Sequence, residues 1–461
     1  MTVLSLYQAP NQRGQIFFVT IGAASVIIAG VFSADLLAYL CIAIPALVPI
    51  FLWLRAGGRG IPVLPIVSAL FFIYYAIPIL RSTVIVYDAD ELLDGAAIVG
   101  SFLTVASIAY WPFLRRPVCD GGDLRPALES SQIVFFGLWA GIIYYLSAFS
   151  GNLDWLGFYF GLVRALVLTF TSISCFILGS ARASGLLVGR RWGFALCGLA
   201  ILILLSVSGL ALIGGVMNGL AAFVGYSVSA KRLPWIGIAL AFSILSILQA
   251  GKEETRRMYW VTGPSHQQEQ GISRIPGMMF DWFSAGMNAL ASGSVEPNTV
   301  LERASLLQMV LYVHRATPES IPYLDGETYA SLSSMLIPRF LSPEKISSQS
   351  GSDLLSVRYH LQSSASVATT AIGWGLVAEA YANFGYWGVV VVGVLFGILC
   401  GASMRISMGA SIISLRMFVS ITATVVLLDL EATFAYLLVT LAQSIAGVLI
   451  VWGFRSLSRG A

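Results

Sequence analysis

Apolar stretches long enough to cross a bilayer recur along this chain, separated by short segments where charge and turn residues gather. A hydrocarbon layer of about 30 Å needs roughly 20 apolar helical residues. About twelve intervals meet that demand: 16–33, 36–54, 61–80, 95–114, 132–149, 156–180, 193–210, 211–230, 235–251, 383–404, 412–431 and 434–454. The pair meeting around Ser208 to Ala211 reads either as two spans or as one broken helix. The first run has no small-residue processing site and reads as a span. Composition agrees, since 57% hydrophobic against 11% charged residues, with a mean hydropathy of +0.83, excludes a soluble globule of 461 residues. The expected fold is an all-α polytopic membrane protein of about 12 transmembrane helices.

Charge sets the expected orientation, because lysine and arginine in short loops favour the cytoplasmic side. With odd-numbered spans running outward, the inner segments hold Arg13, Arg55, Arg59, Arg115, Arg116, Arg125, Arg182, Arg190, Arg191, Lys231, Arg232, Arg405, Arg416, Arg455 and Arg459, fifteen of the 26 basic residues. The short outer loops hold one cation, Arg81, beside Asp35, Asp88, Asp90, Glu91, Asp94 and Asp154. Both termini then lie in the cytoplasm. The net charge of +3 is largely this topology signal and gives no reason to expect nucleic acid as a partner. The five cysteines sit in spans or an inner loop, so the large outer segment has no disulfide to form, and zinc-type spacing is absent.

The remaining polar chemistry gathers between Lys252 and about Ala382, which this topology places outside. The chain divides accordingly into 1–251 with spans 1–9, a large outer loop at 252–382, and 383–461 with spans 10–12 and the C-terminus. The loop holds all three histidines (His266, His314 and His360), nine of the 26 basic residues and twelve of the 23 acidic ones. So long a connection is functional or a folded subdomain. Thr299 to Glu302 fits a capping box opening a helix that "TPES" stops near Ala316, with Arg303, Leu307, Val310 and His314 on one face. "GMMFDWFSAGMNALAS" (277–292) is apolar enough to lie on a membrane surface. Asp325-Gly326 signals a turn, 327–336 a short helix, and Pro338 and Pro343 bracket an extended "RFLS". "GWGLVAEAYANFGYWG" (373–388) leads back into the membrane.

"LERASLLQMV", then "TPESIPYLDGETYASLSSMLIPRFLSPEK", then "GLVAEAYANFGYWGVV" together resemble the outer-loop pattern of bacterial oligosaccharide repeat-unit polymerases, the O-antigen polymerase family. The resemblance implies a glycosyltransferase of the bacterial inner membrane. It would join undecaprenyl-pyrophosphate-linked repeat units into O-antigen or a related surface polysaccharide on the periplasmic side. It also implies a membrane fold similar to the multi-span (GT-C-like) glycosyltransferases, and a chain-length regulator and a flippase as partners. A ligase using the same donor is the runner-up. A lipid-linked oligosaccharide transporter is the third reading, against which the concentration of polar groups in one outer loop counts.

A lipid pyrophosphate needs cations at the membrane surface, and arginine meets its oxygens with paired donors. Lys252, Arg256 and Arg257 leave the ninth span in "GKEETRR"; an interfacial cluster with Glu253 and Glu254 is the other reading. Arg303 and Arg339 lie in the family-like pattern, with a plain loop salt bridge as the alternative. Pyrophosphate is already a good leaving group, so one base for the acceptor hydroxyl suffices. Glu379, at the outer mouth of the tenth span, is the first choice, followed by His314 and His360; a helix-end carboxylate facing water, and packing roles for the histidines, are the alternatives. Tyr323 and Tyr329 either stack on sugar rings or pack the loop. Inside the membrane, Arg164 in the sixth span and Asp429 and Glu431 in the eleventh need explaining. Arg164 either pairs with one of those acids or reaches the pyrophosphate from below. No metal and no cofactor is expected.

Overall fold

The computed structural model describes residues 22, 24–31, 33, 35–80, 87–115, 128–210, 212–230, 234–261, 272–292, 305–330, 332–337, 349–368 and 372–460, and among them it is helical with no strand. Eight long helices come first: α1 (Leu36–Arg55), α2 (Val63–Leu80), α3 (Ala89–Arg115), α4 (Leu128–Phe149), α5 (Phe160–Ala183), α6 (Gly189–Val207), α7 (Ile213–Ala230) and α8 (Trp235–Arg256). Shorter ones follow: α9 (Ile275–Ala291), α10 (Leu306–Ala316), α11 (Glu327–Ala330), α12 (Leu332–Leu336) and α13 (Ser350–Arg358). The chain closes with α14 (Gly375–Ser407), α15 (Leu415–Leu427) and α16 (Phe434–Gly460). Among the described residues ten helices, α1 to α8, α14 and α16, are long and apolar enough to cross a membrane. The expected all-α polytopic fold is therefore observed, and the protein is a multi-pass membrane protein.

Interval 16–33 is described at 22, 24–31 and 33, and of these 22 and 24–31 are helical. One expected span differs. Interval 412–431 yields α15, a helix of 13 residues, about 20 Å at 1.5 Å per residue and shorter than the hydrocarbon layer. Its limits are local: bends occupy 412–414, and a turn from Leu428 follows it. Asp429 and Glu431 lie in that turn, not inside a helix. Arg164 is also less deep than expected, because α5 begins at Phe160, four residues before it. At Ser208–Leu210 the broken-helix question resolves into two helices, with Leu210 at φ 55 between them.

The chain forms two compact units. The first comprises Met1–Asp120, Leu301–Met408 and Val426–Ala442. Helices cannot gain by hiding apolar surface from lipid, which is itself apolar, so close backbone approach through small residues holds them. A Cβ on Gly100 of α3 would collide with the Cys41 carbonyl of α1, and one on Gly397 of α14 with the Ala106 carbonyl of α3. Rings complete this core: Tyr75 and Phe71 of α2 stack at 4.9 Å, Phe71 and Phe102 of α3 at 5.5 Å, and Phe102 meets Phe396 of α14 at 5.8 Å.

The second unit comprises Gly121–Val300, Gly409–Val425 and Gln443–Ala461. It repeats the device: Gly179 of α5 lies against the Ala222 carbonyl of α7, and Gly225 of α7 against the Phe176 carbonyl of α5. Helix α9, expected on a membrane surface, buries Met278, Trp282, Ala285 and Gly286 and exposes Phe280, Phe283, Met287 and Leu290. Its Trp282 Nε1 donates to the Leu248 carbonyl of α8 at 2.6 Å.

The glycine contacts generate a test. Gly397→Val forces α3 and α14 apart and should cost about 1–3 kcal/mol or more, read as a lower melting temperature of purified protein. Gly193→Ala on α6, where a Cβ meets nothing within 4 Å, should be neutral or gain about 0.5–1 kcal/mol from helix propensity. Equal melting temperatures for Gly397→Val and wild type would remove the close-approach argument.

Candidate functional site

Helix α14 is broken. Phe384 (φ −142, ψ 19) and Gly385 (φ 59, ψ −142) leave helical geometry, and the left-handed φ at 385 suits glycine. The break ends the hydrogen-bond ladder of the first segment, whose last carbonyls need other donors. The Leu324–Gly326 turn supplies them: Leu324 N donates to the Ala382 carbonyl at 3.0 Å and Asp325 N to the Asn383 carbonyl at 3.2 Å. Asp325 (φ 47) and Gly326 (φ 89) adopt the left-handed conformations that the sequence signal predicts.

Asn383 locks this junction with its whole amide. Its Oδ1 accepts from Gly326 N at 3.1 Å, and its Nδ2 donates to Thr328 Oγ1 and to the Glu379 carbonyl, both at 2.8 Å. One turn back on the same helix face, Glu379 is 0% exposed. Its Oε2 accepts from Phe434 N, the first residue of α16, at 2.5 Å. A carboxylate at a helix N-terminus meets an otherwise unsatisfied donor and the positive end of the dipole.

Glu379 Oε1, Thr433 Oγ1 and Tyr329 Oη are buried and make no hydrogen bond of ordinary geometry among the described residues, although the Thr328 side chain stands within polar reach of Glu379 and of Tyr329. Such groups are costly and need an explanation. Glu379 Oε1 and Thr433 Oγ1 face the same glycine: a Cβ built on Gly351 of α13 would stand 3.7 Å from the first and 3.6 Å from the second. Gly351 also lines a cavity of about 420 Å³ together with Thr328, Ala330, Ser334, Ser350 and Leu354. Glu327, also on its wall, pairs with Arg358 at 2.8 Å. Burial, and then the Glu379 carboxylate, push the Tyr329 phenol well above its ordinary range, so it keeps its proton.

The other expected residues of this unit lie around the same segment. His314 closes α10 with its ring 5.4 Å from that of Tyr381. Tyr323 stands 6.4 Å from Tyr381, and Tyr386 packs on Tyr381 at 5.5 Å, so aromatic rings collect at the break in α14. Tyr329 instead packs between Phe384 and Phe434, each at 6.4 Å, the packing alternative for this ring. His360 is exposed, at φ 58 in the turn after α13. Helix α10 ends at Ala316, as "TPES" predicts; the capping box at 299–302 and Arg303 lie outside the described residues, as do Arg339 and the "RFLS" segment. Arg315 clamps α10 to α3, its Nε donating to Glu91 Oε1 at 2.7 Å and its guanidinium 4.2 Å over the Tyr87 ring.

Arg164, Lys252, Arg256 and Arg257 belong to the second unit. Arg256 Nη2 donates to the Leu210 carbonyl at 2.9 Å, bracing the α6–α7 turn. Arg257 opens a π-helical turn to Val261 after α8, and Arg164 is exposed on α5. Among the described residues no group of three or more His, Cys, Asp or Glu is arranged to hold a metal ion.

Thr328, Gly351, Asn383, Thr433 and Tyr381 escaped sequence reasoning. The four-residue spacing of Glu379 and Asn383 was the one local signal available; Thr433 and Gly351 come from segments far away in the chain. Neither a curated protein nor a solved structure matches this chain. Residues 305–459 match the family model described as O-antigen polysaccharide polymerase Wzy. The matched segment begins two residues after Arg303 and contains Thr328, Gly351, Glu379, Asn383 and Thr433. The match covers 155 of the 461 residues, about a third of the chain, and the family is what that segment is similar to.

Proposed function

We propose that this protein is a glycosyltransferase of the bacterial inner membrane that polymerises undecaprenyl-pyrophosphate-linked oligosaccharide repeat units on the periplasmic side. The observation that carries the reading is the family match over residues 305–459, the segment that builds the buried Glu379 site. In the proposed step an acceptor sugar hydroxyl attacks the anomeric carbon of the donor unit. The bond from that carbon to the pyrophosphate oxygen breaks, undecaprenyl pyrophosphate leaves with the electron pair, and Glu379 takes the hydroxyl proton. Glu379 is preferred to His314 and His360 because its carboxylate is fully buried and held at one oxygen by Phe434 N. Arg303 and Arg339 are proposed to hold the pyrophosphate. Tyr323 is proposed to offer a sugar its ring. A flippase delivering lipid-linked units and a regulator of chain length are the partners this reaction calls for.

The reading puts residues 252–382 outside and both termini inside, on the strength of the fifteen inner basic residues. Cysteine placed at the exposed Leu361 should react with an impermeant thiol reagent in intact spheroplasts. Labelling only after lysis would reverse the topology.

Charge and paired-donor geometry both matter if Arg339 grips a pyrophosphate. Arg339→Ala and Arg339→Lys should each lower polymerisation about a hundredfold or more, while Arg274→Ala stays near wild type. Mass spectrometry of lipid-linked glycans should find single repeat units accumulating. Long lipid-linked chains accumulating instead point to a ligase, and normal chain lengths with stable expression make Arg339 structural.

Glu379→Gln keeps the shape and the acceptor for Phe434 N but cannot take a proton. Polymerisation should fall by about 10²–10⁴-fold with the melting temperature nearly unchanged. Full activity in Glu379→Gln would transfer the base role to another group.

A further inference from the structure

We infer that α9 is a re-entrant helix: it dips from the end of α8 back into the hydrocarbon layer, to about half its depth, and its exposed side chains face lipid chains. The inference concerns the second unit alone and is independent of the polymerase reading.

Depth is read from the partner helix. Helix α8 carries no charged residue from Trp235 to Gly251, and Lys252, Glu253, Glu254, Arg256 and Arg257 then follow, so its hydrocarbon boundary lies near Gly251. Helix α9 meets α8 at and below that boundary. A Cβ on Gly286 would collide with the Ile247 carbonyl, and one on Gly251 with the Trp282 carbonyl and the Gly286 nitrogen. Trp282 Nε1 donates to the Leu248 carbonyl. Close backbone approach through glycines is how helices associate within lipid.

The other end of the contact gives the direction. Tyr259, beyond the charges, donates from its hydroxyl to Asp281 at 2.6 Å, so α9 runs antiparallel to α8 and its later residues lie deeper. Gly286 stands beside Ile247, about 6 Å below Gly251, and the five residues on to Ala291 add at most about 8 Å. The tip thus reaches about 14 Å into a layer about 30 Å thick. With 17 residues, α9 is about 25 Å long and too short to cross alone.

Its side chains suit that depth. Phe280, Phe283, Met287 and Leu290 are exposed at the spacing of one helix face. Asp281, at the upper end, is the one charged residue from Ile275 to Ala291, and the helix holds no lysine or arginine, whereas a helix lying in the interface carries cations on its polar face. Below Asp281 the polar side chains are Ser284 and Asn288, both uncharged. The far end is capped, as a helix end away from water requires. Ser292 N donates to the Asn288 carbonyl at 2.9 Å, and Ser292 Oγ to the same carbonyl at 2.7 Å and to that of Ala289 at 3.3 Å. The stripe continues a surface that the span itself turns to lipid, since Leu240, Phe242 and Ile244 of α8 are exposed at the depth of the tip.

The test measures depth with spin labels. Phe280→Cys, Phe283→Cys, Met287→Cys and Leu290→Cys are made singly in full-length protein whose five native cysteines are changed to alanine. Each carries a nitroxide and is reconstituted in vesicles of phosphatidylethanolamine and phosphatidylglycerol. The four side chains are exposed, so the exchanges remove little packing, and melting temperatures equal to that of the cysteine-free parent identify folded samples. Oxygen concentrates in hydrocarbon and a nickel chelate in water, so the ratio of their collision rates with the label reports depth. The ratio should rise at each step from Phe280→Cys to Leu290→Cys, and the last should stand severalfold above Leu361→Cys, a label at an exposed site outside the spans. A label in Leu290→Cys as open to the chelate as that in Leu361→Cys puts α9 in water and overturns the inference. Equal ratios at all four positions overturn it as well, because they describe a helix lying flat in the interface. Low collision rates of both reagents throughout do so too, since another protein surface then covers the stripe.

Discussion

A helix inside or at the edge of a membrane cannot leave its carbonyls unmet, because no water stands by to meet them. The break at Phe384–Gly385 creates that problem at Ala382 and Asn383, and the Leu324–Gly326 turn answers it with main-chain donors. Much else depends on this exchange. It pins a long polar insertion to a span, sets Thr328 beside Asn383, and brings α11 to α13 over the segment carrying Glu379. A straight α14 would satisfy its own carbonyls and would have no use for the turn.

The spans provide the rigid frame for this junction. Gly100 and Gly397 let α1, α3 and α14 approach backbone to backbone, and the ring series from Tyr75 to Phe396 fills the layer between α2, α3 and α14. The polar insertion is tied to the same helices. Arg315 of α10 binds Glu91 near the start of α3, and Leu311 packs where Gly95 of α3 leaves room. A carboxylate held at the N-terminus of α16 and aimed past Gly351 is thus fixed by several elements, as precise positioning of a reacting group requires.

The spans were legible because apolar length is a one-dimensional property: ten of the expected intervals recur as helices. Turn chemistry was legible for a related reason. Asp325-Gly326 declares a left-handed backbone through residue type alone, and "TPES" ends α10 where it should. Depth was read less well. Arg164 and the pair Asp429 and Glu431 fall inside spans when a span is read as an apolar run bounded by charge and turn residues, whereas α5 starts at Phe160 and α15 ends at Leu427. An apolar run does not show where the helix within it starts or stops, and a turn of difference moves a charge from the interior to the end of a helix.

The site was legible only as far as Glu379 itself. Its polar type amid apolar neighbours singled it out, but the water-facing alternative was equally compatible with the sequence and is excluded by its complete burial. What makes it a candidate base is the company it keeps, and that company comes from chain positions with no local signature. Thr433 precedes α16, Gly351 opens α13, and neither differs in sequence context from a threonine or glycine anywhere else. Asn383 was within reach, four residues along the same helix, yet its importance lies in a break whose location only Gly385 hints at. Sequence thus names the group whose chemistry is unusual for its surroundings, and folding chooses which ordinary residues leave it one oxygen short of a partner.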